Sequence, residues 1–182
     1  MAAPAASSAS WYSVFKIAVF ALLAANSANY LVSGTLSEAL DTMAWLALLM
    51  LFELETGYGS RSWARNMSGV IHVARIFAAV AIGTAAIGYV NDKAWLDVAN
   101  TSLWIAVIAM LEFEVRYPVA VATRRAWFAA TASALYSGLA ALVLIWAWHG
   151  AWFDAYDALL WLTAFAMMEM DVLGISRRTA VV

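Results

Sequence analysis

The chain has 182 residues, 65% of them hydrophobic and 12% charged, with a net charge of −2 and no cysteine. Soluble domains are about half apolar and about a quarter charged, so an ordinary soluble domain is excluded, and the mean hydropathy of +0.80 marks an integral membrane protein. The small negative charge gives no basis for a nucleic-acid partner, and the lack of cysteine removes disulfides, thiol catalysis and thiolate metal sites.

The opening "MAAPAASSAS" is small and polar, and residues 1–10 are expected to form a disordered cytoplasmic tail. Lys16, "IAVFALLAA" and "NSA" would also suit a cleavable signal peptide, but this segment has counterparts later in the chain, which favours a retained span. A helix needs roughly 20 apolar residues to cross a hydrocarbon core of about 30 Å. On that measure six helices are predicted, over 11–33, 36–56, 70–90, 95–115, 127–148 and 152–172. The links "SGTLSE", "NDKAW" and "HGAWF" are tight turns, whereas "GYGSRSWARNMS" and "RYPVAVATRR" are longer and basic. The predicted fold is therefore all-α and polytopic, with six transmembrane helices forming three tandem two-helix hairpins. The hairpins cover 11–59, 60–118 and 119–174, and a cytoplasmic tail follows at 175–182.

The hairpins read as repeats. Shifting the first by 59 residues and the second by 57 aligns Glu38 with Asp97 and Asp154, and Asp41 with Asn100 and Asp157. Trp45, Trp104 and Trp161 form the next column, then Glu53, Glu112 and Glu169, then Glu55, Glu114 and Asp171. Of twelve acidic residues only Asp92 falls outside these columns, an arrangement chance does not produce. The odd helices match less well, with Tyr30 opposite Tyr89 and Trp146, and Lys16 opposite Arg75. A fixed period signals a repeat architecture, and repeats that each cross twice share one orientation, which predicts pseudo-threefold symmetry about the membrane normal.

Basic residues set the expected orientation. Arg61, Arg65, Arg116, Arg124, Arg125, Arg177 and Arg178 fall on one side and Lys93 on the other. The positive-inside rule then places both termini in the cytoplasm of a cell (inner) membrane protein. Trp95, Trp146, Trp148 and Trp152 would mark one interface, and Trp11, Trp63 and Trp127 the other.

Depth makes the acids chemically interesting. Asp41 and Glu53 are separated by about 18 Å of helix against about 30 Å of hydrocarbon, so at least one acidic tier lies within the apolar slab. Such groups usually face a bundle interior or a watery cavity. At 100° per residue Glu38, Asp41 and Trp45 share a face, whereas Glu55 points about 200° from Glu53. Lys16 and Glu53 are equidistant from their turn, as are Arg75 and Glu112, which makes each a candidate ion pair. The third hairpin has Ala132 at the basic position, leaving Glu169 near Ser133 and Tyr136.

These carboxylates admit three uses: hydrogen bonds and salt bridges that set helix register, a cation or proton pathway, or a site for a lipid headgroup, a pigment or a partner subunit. Trp45, Trp104 and Trp161 are candidates for packing or for a hydrophobic gate. His72 and His149 fall at opposite faces, no metal or cofactor site is expected, and no nucleophilic triad, phosphate loop or zinc motif is present. The expected function is a small cation or proton transport protein or, alternatively, a non-catalytic accessory or scaffold subunit. An enzyme is not expected. The partners are the lipid bilayer and either a second copy or a membrane subunit.

Overall fold

Proline and a few caps decide where the helices stop. The computed structural model describes residues 6–58 and 68–179, and within them the chain is all-helical. Seven helices are present among the described residues: α1 (Ala6–Ser33), α2 (Leu36–Tyr58), α3 (Ser68–Asn91), α4 (Trp95–Arg116), α5 (Pro118–Thr123), α6 (Arg125–Trp148) and α7 (Trp152–Thr179). Among the described residues four stretches are long and apolar enough to cross a membrane: Trp11–Ser33, Gly69–Asn91, Trp95–Glu114 and Arg125–Trp148. The predicted second and sixth spans are not among them. Their helices, α2 and α7, each carry four acidic residues, and ionisable groups are costly in hydrocarbon.

Three boundaries differ from the sequence expectation. Helix α1 begins at Ala6, inside the predicted tail. Alanine is the best helix former and serine is neutral, and no proline or glycine separates Ala6 from Trp11. Helix α7 runs through Gly174 to Thr179, since one glycine costs a helix only about 1 kcal/mol. The basic link "RYPVAVATRR" contains α5. Pro118 cannot continue α4 but suits the first turn of a new helix, and it keeps Tyr117 out of the helical region at φ −128°.

The first tight turn ends in a reciprocal cap at the start of α2. The Thr35 backbone N–H donates to Glu38 Oε2 at 2.6 Å, and the Glu38 N–H donates to Thr35 Oγ1 at 3.2 Å. This satisfies two of the donors that every helix start leaves open. The other two tight turns are alike. After α3, Ala94 N–H reaches Tyr89 O and Lys93 N–H reaches Val90 O. After α6, Ala151 N–H reaches Trp146 O and Gly150 N–H reaches Ala147 O. Both close as Schellman motifs, with Lys93 and Gly150 in the left-handed region at φ 57° and 79°.

A side chain at that backbone angle is strained, whereas glycine is not. Lys93→Gly is therefore expected to stabilise the fold by about 0.5–1 kcal/mol, and Gly150→Ala to destabilise it by about 1 kcal/mol. Thermal unfolding of the detergent-solubilised protein measures both. A lower midpoint for Lys93→Gly would show that the lysine side chain is held by something other than the turn.

The chain forms two compact units, one of Met1–Asn26 with Tyr136–Val182 and the other of Ser27–Leu135. In the second unit α3 packs along α2 and against α4. Its core includes Trp45, Leu49, Ile82, Ala85, Tyr89, Trp104 and Val107. In the first unit α7 supplies Trp161, Ala164, Phe165 and Met167 to the buried set, and Tyr12 of α1 donates its hydroxyl to Met167 O at 3.2 Å. Large apolar side chains elsewhere on the spans are exposed, among them Phe77, Val80 and Leu144.

Candidate functional site

The acidic columns sort by what each carboxylate touches. At the helix starts, Glu38, Asp97 and Asp154 all lie in the first turns of α2, α4 and α7. A negative charge there complements the helix dipole. Glu38 is also engaged in its cap. This column therefore has a local structural use.

One turn further in lies the most enclosed carboxylate among the described residues. Asp41 is 8% exposed. Its Oδ1 accepts from Trp45 Nε1 at 3.0 Å, and its Oδ2 accepts from the Tyr89 hydroxyl and from Thr101 Oγ1, each at 3.3 Å. These donors come from α2, α3 and α4, so one side chain joins three helices. Trp45 can reach Asp41 because residues four apart share a helix face. Tyr89 can reach it because α3 lies close along α2. Beside this cluster the Ser27 and Thr42 hydroxyls hydrogen-bond each other at 3.1 Å, both buried. All three donors to Asp41 are neutral.

The first unit repeats part of this arrangement. Asn26 Nδ2 of α1 donates to Asp157 Oδ1 at 2.8 Å, and the Trp161 side chain also hydrogen-bonds Asp157. In both units, then, an aspartate in the second turn of its helix takes the indole four residues on and a donor from a helix of another predicted hairpin. Asn100 stands at the same position of α4 and is half-buried.

No known protein family, characterised protein or solved structure matches this chain.

The Glu53, Glu112 and Glu169 tier is more open. Glu112 is exposed and takes Arg116 Nε at 2.6 Å, one turn along its own helix. Glu169 is exposed and accepts from the Tyr136 hydroxyl of α6. Glu53 and Arg75 are half-buried. Lys16 is also half-buried, with its Nζ 5.7 Å from the centre of the Phe20 ring. Lys16 belongs to the first unit and Glu53 to the second. The side chains of Glu55 and Asp171 lie outside the described residues.

Trp45 and Trp104 meet in the second unit with ring centroids 6.4 Å apart and planes at 54°. Both are buried, as is Trp161 in the first unit. The Trp45 indole is already committed to Asp41, which accounts for its burial as packing with a satisfied N–H. Among the described residues no group of three or more histidine or acidic side chains could hold a metal ion. His72 and His149 are both exposed.

Sequence reasoning missed Tyr89 and Thr101 as partners of Asp41. Tyr89 was visible only as an aligned aromatic, and Thr101 only as a partial column, with Thr42 in the first repeat but Ala158 in the third. Only the packing of α3 and α4 against α2 brings them to the carboxylate.

Proposed function

We propose that the chain is a six-span membrane protein of three tandem hairpin repeats whose second-turn aspartates fasten helices together, and that it acts as a non-catalytic accessory or scaffold subunit. The observation that carries this reading is Asp41. Its two oxygens are occupied by three donors from three helices, an arrangement that fixes register and leaves little capacity for a travelling ion. Asp157 and Glu169 each accept from a side chain of another helix, and Glu112 is held by Arg116 of its own helix. Polar groups that bond across helices are a common adhesive in membranes, where apolar contact alone gives little drive to associate.

Other observations support the repeat and the membrane setting. The Schellman turns at Lys93 and Gly150 fall at aligned positions, and so do the Asp41–Trp45 and Asp157–Trp161 pairs. Apolar side chains such as Phe77 and Leu144, both 71% exposed, require lipid or another subunit to cover them. In this reading α2 and α7 also cross, with their acids turned to neighbouring helices. Arg116, Arg124 and Arg125 mark the cytoplasmic side of a cell membrane, and Lys93 the opposite side.

The runner-up is a small cation or proton transporter using the same acids. Reconstitution separates the two. Liposomes containing the protein, loaded with a pH-sensitive or cation-sensitive dye, are expected to dissipate a proton or monovalent-cation gradient no faster than empty liposomes. Glu169→Gln and Asp41→Asn should leave that rate unchanged. Flux above the empty-liposome rate that either substitution abolishes would replace the scaffold reading with the transport one.

A further inference from the structure

A cleft at the basic end of α6 is not used by any of the carboxylate clusters. Its volume is about 570 Å³, and its lining includes Met110, Thr123, Arg124, Arg125, Trp127 and Phe128. We propose that this cleft binds the phosphate headgroup of an anionic phospholipid, with Arg124 and Arg125 on the phosphate and the acyl region against Met110, Trp127 and Phe128. The inference rests on the membrane setting of the apolar helices and is independent of what the acids do.

Arg124 and Arg125 are exposed, and neither forms an ion pair among the described residues. Arg116, by contrast, is committed to Glu112. Two consecutive residues of the lining therefore carry guanidinium groups, whose planar forks suit phosphate oxygens. The Thr123 hydroxyl donates to the backbone at Ala120 O and Val119 O, 2.8 Å and 3.2 Å away, so its proton is not free for an anion. The two arginines are the cleft's cationic donors.

The arginines stand at the start of Arg125–Trp148, one of the span-grade helices. Trp127 is 76% exposed two residues further in, where an aromatic ring belongs at the headgroup boundary. A basic cleft at that depth meets lipid phosphate first, and basic pockets between helices at this interface suit anionic headgroups. The corner is also built to persist. Phe128 stacks on Phe113 of α4 with centroids 5.5 Å apart, and Phe113 contacts Tyr117 at 4.8 Å. A soluble phosphate would have no use for the apolar half of the lining.

Native mass spectrometry of the full chain in detergent tests this, with phosphatidylglycerol and phosphatidylcholine as probes. The wild type should retain phosphatidylglycerol preferentially. Arg124→Gln and Arg125→Gln should each weaken that retention about fivefold, whereas Lys93→Gln should not change it. Arg124→Lys with Arg125→Lys keeps the charge and loses the forked geometry, so it should give an intermediate loss, and it serves where the glutamine variants fold poorly. Equal retention of the two lipids overturns the proposal, as does unchanged retention in the glutamine variants. Displacement of phosphatidylglycerol by inorganic phosphate at comparable concentration would show a phosphate site rather than a lipid site, and also overturns it. A chain that remains soluble without detergent would instead overturn the membrane setting itself.

Discussion

Asp41→Leu is expected to destabilise the protein by about 2–4 kcal/mol, because it leaves three buried donors without an acceptor. The Trp45 indole, the Tyr89 hydroxyl and the Thr101 hydroxyl all end on this one carboxylate, and Tyr89 and Thr101 are 5% and 1% exposed. Water cannot easily replace the lost acceptor at such sites. Leucine is close enough in size that the loss reports hydrogen bonding more than a cavity. Asp41→Asn should cost only about 1 kcal/mol, since its carbonyl can serve the indole while both hydroxyls can rotate to accept from its NH₂. Unfolding in mixed detergent micelles measures the three proteins side by side. Interhelical hydrogen bonds in membranes average only about 0.6 kcal/mol, so an effect near the lower end still fits. An Asp41→Leu protein as stable as the wild type, or more stable, would contradict the fastening role. It would mean that the acid is retained at a cost to stability, as functional groups are.

The acids that matter most to packing were legible in the sequence as a column but not as partners. Internal comparison places Asp41 with Asp157 and Trp45 with Trp161, and helical phase puts each pair on one face. Both indoles do reach their aspartates. What lies across the helix interface could not be read. Tyr89 and Thr101 come to Asp41, and Asn26 to Asp157, through tertiary packing that no period encodes. Depth matching suggests Arg75 for Glu112, whereas the structure gives it Arg116, four residues on in the same helix. A salt bridge at that spacing needs no second helix, so matching depths between helices does not find it. Glu38 shows the converse error. "TLSE" carries the capping-box pattern, a signal in plain view that the longer-range comparison overshadowed. The extra helix α5 is also explicable afterwards, since Pro118 both ends one helix and suits the start of the next.

Gly88→Leu is expected to separate α3 from α2 and to cost about 1–3 kcal/mol through overpacking. A Cβ at position 88 would stand 2.1 Å from Ser37 Oγ and 3.1 Å from Ser37 Cβ, so the helices approach here because one of them lacks a side chain. Small residues at such crossings are what let membrane helices touch. The position has a consequence one residue on. Tyr89 reaches Asp41 at 3.3 Å, and Asp41 lies one turn along α2 from Ser37, so widening the crossing draws the hydroxyl away from the carboxylate. Gly88→Ala should be milder, because the Ser37 hydroxyl can swing aside at the cost of its long 3.4 Å bond to Asp92. Ser37→Ala should then relieve part of the Gly88→Ala penalty. The decisive comparison is with Tyr89→Phe. If Gly88→Leu already breaks the Tyr89–Asp41 bond, adding Tyr89→Phe costs little more, and the pair is non-additive by a substantial part of the single-substitution loss. Fully additive losses would show that the close approach at Gly88 and the hydrogen bond to Asp41 are separate features. Wild-type stability in Gly88→Leu would show that the crossing is not close at all.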